Sequence, residues 1–169
     1  RQMCIRDRKY PTLAVIKGAA FGGGVGLISC CDIALASENS IFSLSEVKVG
    51  LIPATISPYV INAIGARNAR RLFTSGERFD SNIAKQINLV HEIAKEEDLE
   101  KRISYFINHF KQNGPPSVIA AKKIVLDIFN KEIDDSVISH TCEVISALRT
   151  SKEGREGVTA FLEKRNPNW

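Results

Sequence analysis

The first half of the chain alternates short apolar runs with stretches of small residues. Residues 12–18, TLAVIKG, form a β-branched apolar run that predicts a buried strand. The small apolar residues of 24–31 predict a closely packed helix. Two further extended stretches follow, DIALAS at 32–37 and SIFSLSEVKVG at 40–50. Strands that alternate with helices indicate an α/β arrangement for this part of the chain.

After Pro53 the pattern becomes mainly helical. SPYVINAIG at 57–65 predicts a helix with a proline near its start and Gly65 as its stop, and a second helix is expected to end at Gly76. Asp80 or Ser81 is expected to cap the next helix, and LVHEIA, which starts at Leu89, predicts another short strand.

The last part of the chain carries apolar residues at helical spacing. The spacing predicts three amphipathic helices at roughly 96–112, 116–130 and 134–149, and a fourth candidate at 151–165 is weakened by two glycines. We therefore divide the chain into an atypical segment at 1–10, an α/β part at 11–95 and a helical region at 96–169. Apolar stripes of these helices are expected to be buried partly against other subunits: Ile103, Phe106, Ile107 and Phe110, and Ile119, Ile124 and Ile128.

Composition narrows the classes of function. The 169 residues are 44% hydrophobic and 25% charged, as in a globular protein with one core. The net charge of +4 is spread along the sequence, without the dense basic stripe of a nucleic-acid interface, and suits a small phosphate-bearing ligand. Four cysteines show no metal-ligand or CxxC spacing, so we expect no metal site. The same cysteine usage predicts a cytoplasmic location. No apolar run reaches membrane-spanning length, so no membrane partner is expected.

Three consecutive glycines, Gly22 to Gly24, stand between the first predicted strand and helix. A simple turn is one interpretation. A dinucleotide fingerprint is another, but the required final glycine is replaced by Leu27 in one register and by Ser29 in the other. A third interpretation explains more: bare N–H groups at a helix start stabilise an oxyanion on a carbonyl or thioester, and a Cβ would obstruct that approach.

A carboxylate is the partner that this chemistry needs. Glu46 lies in the largely apolar segment FSLSEVKVGLIP, so we expect it to be partly buried and to act as an acid or base. Asp32, between the predicted helix and strand, is interpreted as a cap or turn residue. His91 is interpreted as a strand residue, and no paired serine or cysteine nucleophile is identifiable.

These motifs together resemble the crotonase superfamily of enoyl-CoA hydratases and isomerases. PTLAVIKGAAFGGGVGLISCCDIALAS and FSLSEVKVGLIP carry the resemblance, which continues through AIGARNARRLFTSGERFDSNIAKQINLVHEI and EGVTAFLEKR. It covers nearly the whole chain from Pro11 onward. The fold that it implies is α/β, a crotonase (ClpP-like) ββα spiral core that is N-terminally incomplete, followed by a C-terminal helical trimerisation region. Residues 11–95 would be the C-terminal part of that core.

The resemblance also implies roles for individual residues. Gly23 would donate one of two oxyanion-hole N–H groups to an acyl-CoA thioester, with Gly22 and Gly24 as neighbouring substrate-binding residues. Glu46 takes the place of the catalytic carboxylate. Phe161 and Lys164 match positions that hold the adenine end of coenzyme A. No separate cofactor is implied, because coenzyme A is part of the substrate, and the expected assembly is a homotrimer or a hexamer formed as a dimer of trimers.

Two departures from the family pattern matter. Gly26 stands where the best-known hydratases carry a second glutamate, and ATISPYV replaces a glycine-rich turn. GGGVGL, CCDIA and SEVKVGLIPA resemble a subgroup acting on methylglutaconyl-CoA or related branched glutaconyl thioesters, in leucine or terpenoid acid catabolism. The family also has a strand–helix segment before PTLAVIKG that RQMCIRDR does not resemble, so a chain truncated in this way is expected to be inactive alone.

Three functions follow from these observations. The leading one is an enoyl-CoA hydratase, a hydro-lyase that adds water across the C2–C3 double bond of an acyl-CoA. A Δ3,Δ2-enoyl-CoA isomerase is the alternative, since a single carboxylate suits its proton shuttle. A non-catalytic crotonase-fold subunit is the third, which the presence of Glu46 argues against.

Overall fold

The computed structural model describes residues 3–169 of the chain. The first elements are α1 (Met3–Arg6), β1 (Leu13–Ile16), β2 (Ala19–Phe21), α2 (Gly23–Ser29), β3 (Ile33–Ser37) and β4 (Ile41–Ser43). A 3-10 helix (Ser45–Val49) follows, then α3 (Ser57–Ser75), β5 (Arg78–Asp80), α4 (Ser81–Gln86) and β6 (Glu92–Ala94). A second 3-10 helix (Glu96–Asp98) leads into α5 (Leu99–Gln112), α6 (Pro115–Ile128), α7 (Asp135–Thr150) and α8 (Lys152–Leu162).

The six strands form two three-stranded sheets. In the first sheet β3 lies between β1 and β6, and all three strands are parallel. In the second sheet β4 lies between β2, which is parallel to it, and β5, which is antiparallel. Alternate residues of the second sheet face the core, where the rings of Phe42 and Phe79 stack at 5.5 Å between centroids. The predicted α/β class is therefore confirmed.

Helix α3 contributes much of the apolar core next to α2. Pro58 stands in its first turn, where its missing N–H costs no hydrogen bond, and Gly76 ends it in the left-handed conformation. Gly65 was predicted as a helix stop and is a kink, with φ 76° and ψ 156°, between two helical segments. The buried core residues of α2 and α3 are Val25, Ile28, Val60, Ile64, Ala69 and Leu72.

The extended stretch predicted at 40–50 is only partly a strand. Its apolar–polar alternation continues through Leu44 and shifts by one residue at Glu46, but Leu44 already leaves the β region with ψ 72° and the chain then winds into the first 3-10 helix. Gly50, in the left-handed conformation, ends this helix and donates its N–H to the Val47 carbonyl. Local hydrogen bonds thus outweigh the alternating pattern, and Glu46 lies on a helical turn rather than entering a strand.

Two strands were absent from the sequence prediction. Strands β2 and β5 contain three residues each, which is too short for a period to show. Asp80, one of the two predicted capping residues, accepts a hydrogen bond from the Ile83 N–H at 2.9 Å and caps α4. Ser81 is instead buried, and its hydroxyl donates to the Ser37 carbonyl at 2.6 Å.

The two other titratable residues considered in the sequence analysis, Asp32 and His91, make structural hydrogen bonds. Asp32 accepts hydrogen bonds from the N–H and the hydroxyl of Thr12, which fixes the turn before β3. The Ala34 N–H donates to His91 Nδ1 at 3.0 Å, and the His91 N–H donates back to the Ala34 carbonyl. Burial raises the pKa of the Cys30 thiol, consistent with its interpretation as a small buried hydrophobe.

The described chain divides into two compact units, the first ending at Ile103 and the second running from Ser104 to Trp169. The second unit contains α6, α7 and the fourth predicted helix, α8, whereas α5 begins in the first unit at Leu99. In it the Trp169 indole donates to the Gln112 carbonyl at 2.8 Å. Arg165, through its hydrogen bonds to Glu156, lowers the pKa of that carboxyl to about 2. None of the helices among residues 3–169 has the length and apolar character needed to cross a membrane.

Candidate active site

Parallel pairing of β2 with β4 brings Gly22 and Glu46 together. Phe21 and Ser43, the last residues of these strands, are register partners. The carboxyl ends of parallel strands lie at the same edge of a sheet, so the residues that follow them meet there. Gly22 comes directly after β2, and Glu46 lies in the first turn of the 3-10 helix that follows β4.

The backbone at Gly22 turns sharply from strand to helix. Its φ of 48° and ψ of −113° lie in a region that residues with a Cβ rarely adopt. Its N–H donates to the Ser43 carbonyl at 2.9 Å, and its own carbonyl accepts the N–H of Gly26 at 3.2 Å. Both backbone polar groups of Gly22 are therefore occupied within the chain.

Glu46 is half-buried, as expected, and its carboxylate lies over Gly22. A Cβ at position 22 would be 2.9 Å from Oε1 and 3.8 Å from Oε2. The Oε2 atom is buried and has no hydrogen-bond partner among the described residues. Buried carboxylate oxygens are normally satisfied, so this atom is an acceptor that a ligand group or a water molecule would complete.

Gly23 and Gly24 open the seven-residue helix α2. The first N–H groups of a helix have no acceptor within it, so they point outward as free donors for a ligand. Gly23 is exposed, and a Cβ there would meet no atom within 4 Å. A Cβ at Gly24 would be at an ordinary 3.7 Å from the Ala20 Cβ. The fold itself therefore requires glycine at Gly22 but at neither of the next two positions.

The site residues predicted from the sequence lie in two places. Gly22, Gly23, Gly24 and Glu46 come together in the first unit. Phe161 and Lys164 lie in the second unit, where the Lys164 N–H donates to the Phe161 carbonyl at 3.2 Å and the Phe161 ring is 81% exposed. Their role at the adenine end of coenzyme A stays a prediction.

Two features of the site have no signal in the sequence. The Ser43 carbonyl holds the glycine turn, and a backbone acceptor leaves no trace in residue type. The Arg78 guanidinium lies over the Phe21 ring at 5.5 Å, which places a positive charge beside the turn. Only the register of β2, β4 and β5 makes Phe21 and Arg78 neighbours across Ser43.

The family model for enoyl-CoA hydratase/isomerase matches the sequence over residues 1–169. The chain belongs to this family. Its structure has the crotonase fold: it superimposes with a TM-score of 0.94 on an enoyl-CoA hydratase from Shewanella pealeana, at 43% sequence identity over 99% of this chain and 63% of that one. The crotonase superfamily expected from the glycine triplet and the S-E-V motif is confirmed.

Curated relatives in the family carry both kinds of name. An enoyl-CoA hydratase of Alternaria alternata is 32% identical over 94% of this chain and 53% of its own length. A mitochondrial Δ(3,5)-Δ(2,4)-dienoyl-CoA isomerase of Dictyostelium discoideum is 33% identical over 93% of this chain and 54% of its own. The chain thus spans about half the length of these curated relatives.

Proposed function

We propose that the protein is an enoyl-CoA hydratase. The observation that carries the proposal is the buried Oε2 of Glu46, which has no hydrogen-bond partner among the described residues. It lies near the start of α2, where the N–H groups of Gly23 and Gly24 have no acceptor within the helix. This arrangement supplies a proton acceptor next to oxyanion donors. Family membership restricts the chemistry to acyl-CoA thioesters, in which a carbonyl oxygen gains charge as the α,β double bond reacts.

The reaction follows from these positions. The Gly23 N–H would hold the thioester oxygen while Glu46 accepts a proton from water. The water oxygen then bonds to C3, and the electron pair of the C2–C3 double bond moves towards the thioester oxygen as an enolate. Return of the proton from Glu46 to C2 restores the carboxylate and completes a 3-hydroxyacyl-CoA. One carboxylate suffices because the two proton transfers are separate events.

A single carboxylate also favours a second candidate, a Δ3,Δ2-enoyl-CoA isomerase. Gly26, buried in α2, stands where the best-known hydratases have another glutamate, so this position offers no second carboxylate to share the water with Glu46. In an isomerase the same group would move one proton between C2 and C4 and would need no water. The isomerase name of one relative supports this alternative.

We propose a branched glutaconyl thioester as the acyl group, in leucine or terpenoid acid catabolism. Such a substrate carries a free carboxylate in addition to its thioester, and Arg78, held over the Phe21 ring beside the glycine turn, supplies a positive charge there. Coenzyme A would be part of the substrate, with Phe161 and Lys164 at its adenine end and no separate cofactor. The resemblance that suggests this subgroup rests on the motifs GGGVGL, CCDIA, SEVKVGLIPA and ISPYVI.

The proposed assembly is a homotrimer or a dimer of trimers. Among residues 104–169 only Gly114 and Ala160 are buried, and Ile133, Ile145 and Phe161 are 88%, 62% and 81% exposed. Helices with so many exposed apolar residues gain stability when other subunits cover them. We propose a cytoplasmic location from the cysteine usage, although one relative is named as mitochondrial.

Replacing Glu46 by glutamine tests the role of the carboxylate. The amide keeps the shape of the side chain but accepts no proton, so we expect kcat of the full-length protein to fall by about 10²–10⁴-fold. In heavy-oxygen water the wild-type protein should place the labelled oxygen at C3 of the product, as mass spectrometry of the 3-hydroxyacyl-CoA would detect.

The assay panel separates the candidates. A branched glutaconyl-CoA should be turned over faster than a straight-chain enoyl-CoA. Movement of the double bond in a 3-enoyl-CoA without oxygen incorporation would favour the isomerase. Full turnover by Glu46→Gln in both assays would show that the carboxylate is structural and that the proposed mechanism is wrong.

A further inference from the structure

The glycine triplet contains one residue whose lack of a side chain affects Glu46 directly. A Cβ at Gly22 would lie 2.9 Å from Glu46 Oε1 and 3.4 Å from Cδ, and the first of these distances is shorter than real Cβ contacts allow. No described atom lies within 4 Å of a Cβ placed at Gly23. The space above Gly22 is therefore the space that the carboxylate occupies.

Ligand binding by the backbone N–H or carbonyl of Gly22 does not explain why position 22 is a glycine. Its N–H is bonded to the Ser43 carbonyl and its carbonyl to the Gly26 N–H. Neither group is free to bind a substrate, in contrast to the helix-start N–H of Gly23. What remains specific to Gly22 is its positive φ and the contact of its bare Cα with Glu46.

The other end of Glu46 is held firmly. Its carbonyl accepts the Leu51 N–H at 3.0 Å, and the 3-10 helix that carries it ends at the left-handed Gly50. Leu44, two residues before Glu46, is fully buried. The backbone of Glu46 is thus anchored on both sides, and a group placed over Gly22 would displace the flexible carboxylate rather than the chain.

We propose that Gly22 is a positioning residue for Glu46: the missing side chain at position 22 sets where the carboxylate is held next to the free N–H groups of α2. The inference rests on the proposed function, in which Glu46 transfers the proton. A Cβ at position 22 would push the Glu46 carboxylate away until Oε1 reached an ordinary contact distance. The displaced carboxylate would then meet the bound substrate in the wrong geometry. Proton transfer requires a close and directional approach, so the displacement would lower kcat more than substrate binding.

The test is a kinetic double-mutant cycle in the full-length protein. Gly22→Ala should lower kcat by about tenfold with KM for the CoA thioester unchanged, because moving Oε1 from 2.9 Å to an ordinary 3.4 Å is about half of the ~1 Å misplacement that costs about 10²-fold. Glu46→Asp shortens the side chain by one methylene and frees the space over position 22. The double variant Gly22→Ala/Glu46→Asp should therefore turn over no more slowly than Glu46→Asp alone. Losses that multiply independently in the double variant would overturn the proposal.

Gly65→Ala is the matched control for backbone strain. Gly65 also has a positive φ, of 76°, but a Cβ there would meet no atom within 4 Å. It should lower the midpoint of urea unfolding, as Gly22→Ala does, and leave kcat unchanged. An equal loss of kcat in Gly65→Ala would attribute the effect of Gly22→Ala to general strain and contradict the positioning role.

A crystal structure of the Gly22→Ala variant tests the inference without an activity assay, because it shows the position of the Glu46 carboxylate directly. The new Cβ should stand at an ordinary contact distance of 3.4 Å or more from Oε1, with the carboxylate moved and the 3-10 helix in place. A carboxylate that stays in its wild-type position would overturn the inference. Should the wild-type protein turn over no enoyl-CoA, the proposed function fails, while this structure still decides whether Gly22 positions Glu46.

Discussion

At the residue scale, three neighbouring glycines have three different surroundings. Gly22 has a positive φ and borders the Glu46 carboxylate, a Cβ at Gly23 would face open space, and a Cβ at Gly24 would make an ordinary contact with Ala20. The chain itself gives no reason for glycine at Gly23, because a Cβ would find room there. A ligand that approaches the N–H groups of α2 closely supplies the reason.

Gly23→Val separates stability from catalysis. The side chain would extend into open space, so we expect the urea midpoint to stay unchanged. It would also stand where the thioester oxygen binds, so kcat should fall by about 10²–10³-fold, the usual effect of losing one oxyanion donor.

Leu27→Val is the control for this prediction, since it adds a β-branched residue to an exposed position of the same helix. Its kcat should match that of the wild type. An unchanged kcat in Gly23→Val would remove the oxyanion role of Gly23.

At the element scale, helix α8 shows why a propensity argument alone underrates a helix. Gly154 and Gly157 weaken its predicted helicity, yet it runs from Lys152 to Leu162. A Cβ at Gly154 would collide with the Leu148 carbonyl oxygen, and one at Gly157 would lie 3.0 Å from the Trp169 ring. Both glycines therefore permit close packing, Gly154 at the turn after α7 and Gly157 under the indole.

Substitution of these two glycines should give different results. Gly154→Ala places a methyl group against a backbone carbonyl, which cannot rotate away as a side chain can. The variant should therefore be less stable by about 1–3 kcal/mol or more in urea unfolding. Gly157→Ala meets the edge of a side-chain ring, which needs to shift by only a few tenths of an ångström, so the unfolding free energy should change less. The fluorescence of Trp169, the only tryptophan, should change in Gly157→Ala. Equal destabilisation by both variants would contradict the packing seen at Gly154.

At the scale of the whole molecule, the two compact units differ in how much apolar surface they bury. The first unit contains the clustered core around Phe42, Leu44 and Val60, each fully buried. In the second unit, Gly114 and Ala160 are the only buried residues of 104–169. Its helices carry apolar stripes without a core of matching size, which supports the proposed assembly with other subunits.

The stripe on α7 offers a test of assembly. Ile138 and Ile145, seven residues apart on one face, are 50% and 62% exposed. Ile145→Glu should shift the full-length protein from the trimer to smaller species in sedimentation at micromolar concentration, because a charge opposes apolar burial.

Glu143→Lys changes the charge on another side of the same helix, and its sedimentation should match that of the wild type. A wild-type protein that sediments as a monomer would contradict the proposed assembly.

The family and several local features were determined by the sequence alone. The glycine triplet between a strand and a helix, Glu46 in an apolar segment and the ordered motifs predicted the crotonase fold, because such local patterns survive in residue types. The caps at Asp80 and Gly76 were predicted for the same reason: their side-chain or backbone chemistry acts within a few residues.

Contacts distant in sequence were decided only by the tertiary structure. The parallel register of β2 and β4 closes the 23 residues between Gly22 and Glu46, and β2 is too short to show a period in the sequence. The Ser43 carbonyl, the Arg78–Phe21 contact and the crowding at Gly154 likewise arise from packing between elements. The type of a residue indicates which chemical groups it contributes, whereas strand register and close packing decide which residues it contacts. For this reason the sequence predicted Gly22 as a site residue but did not predict its contact with Glu46.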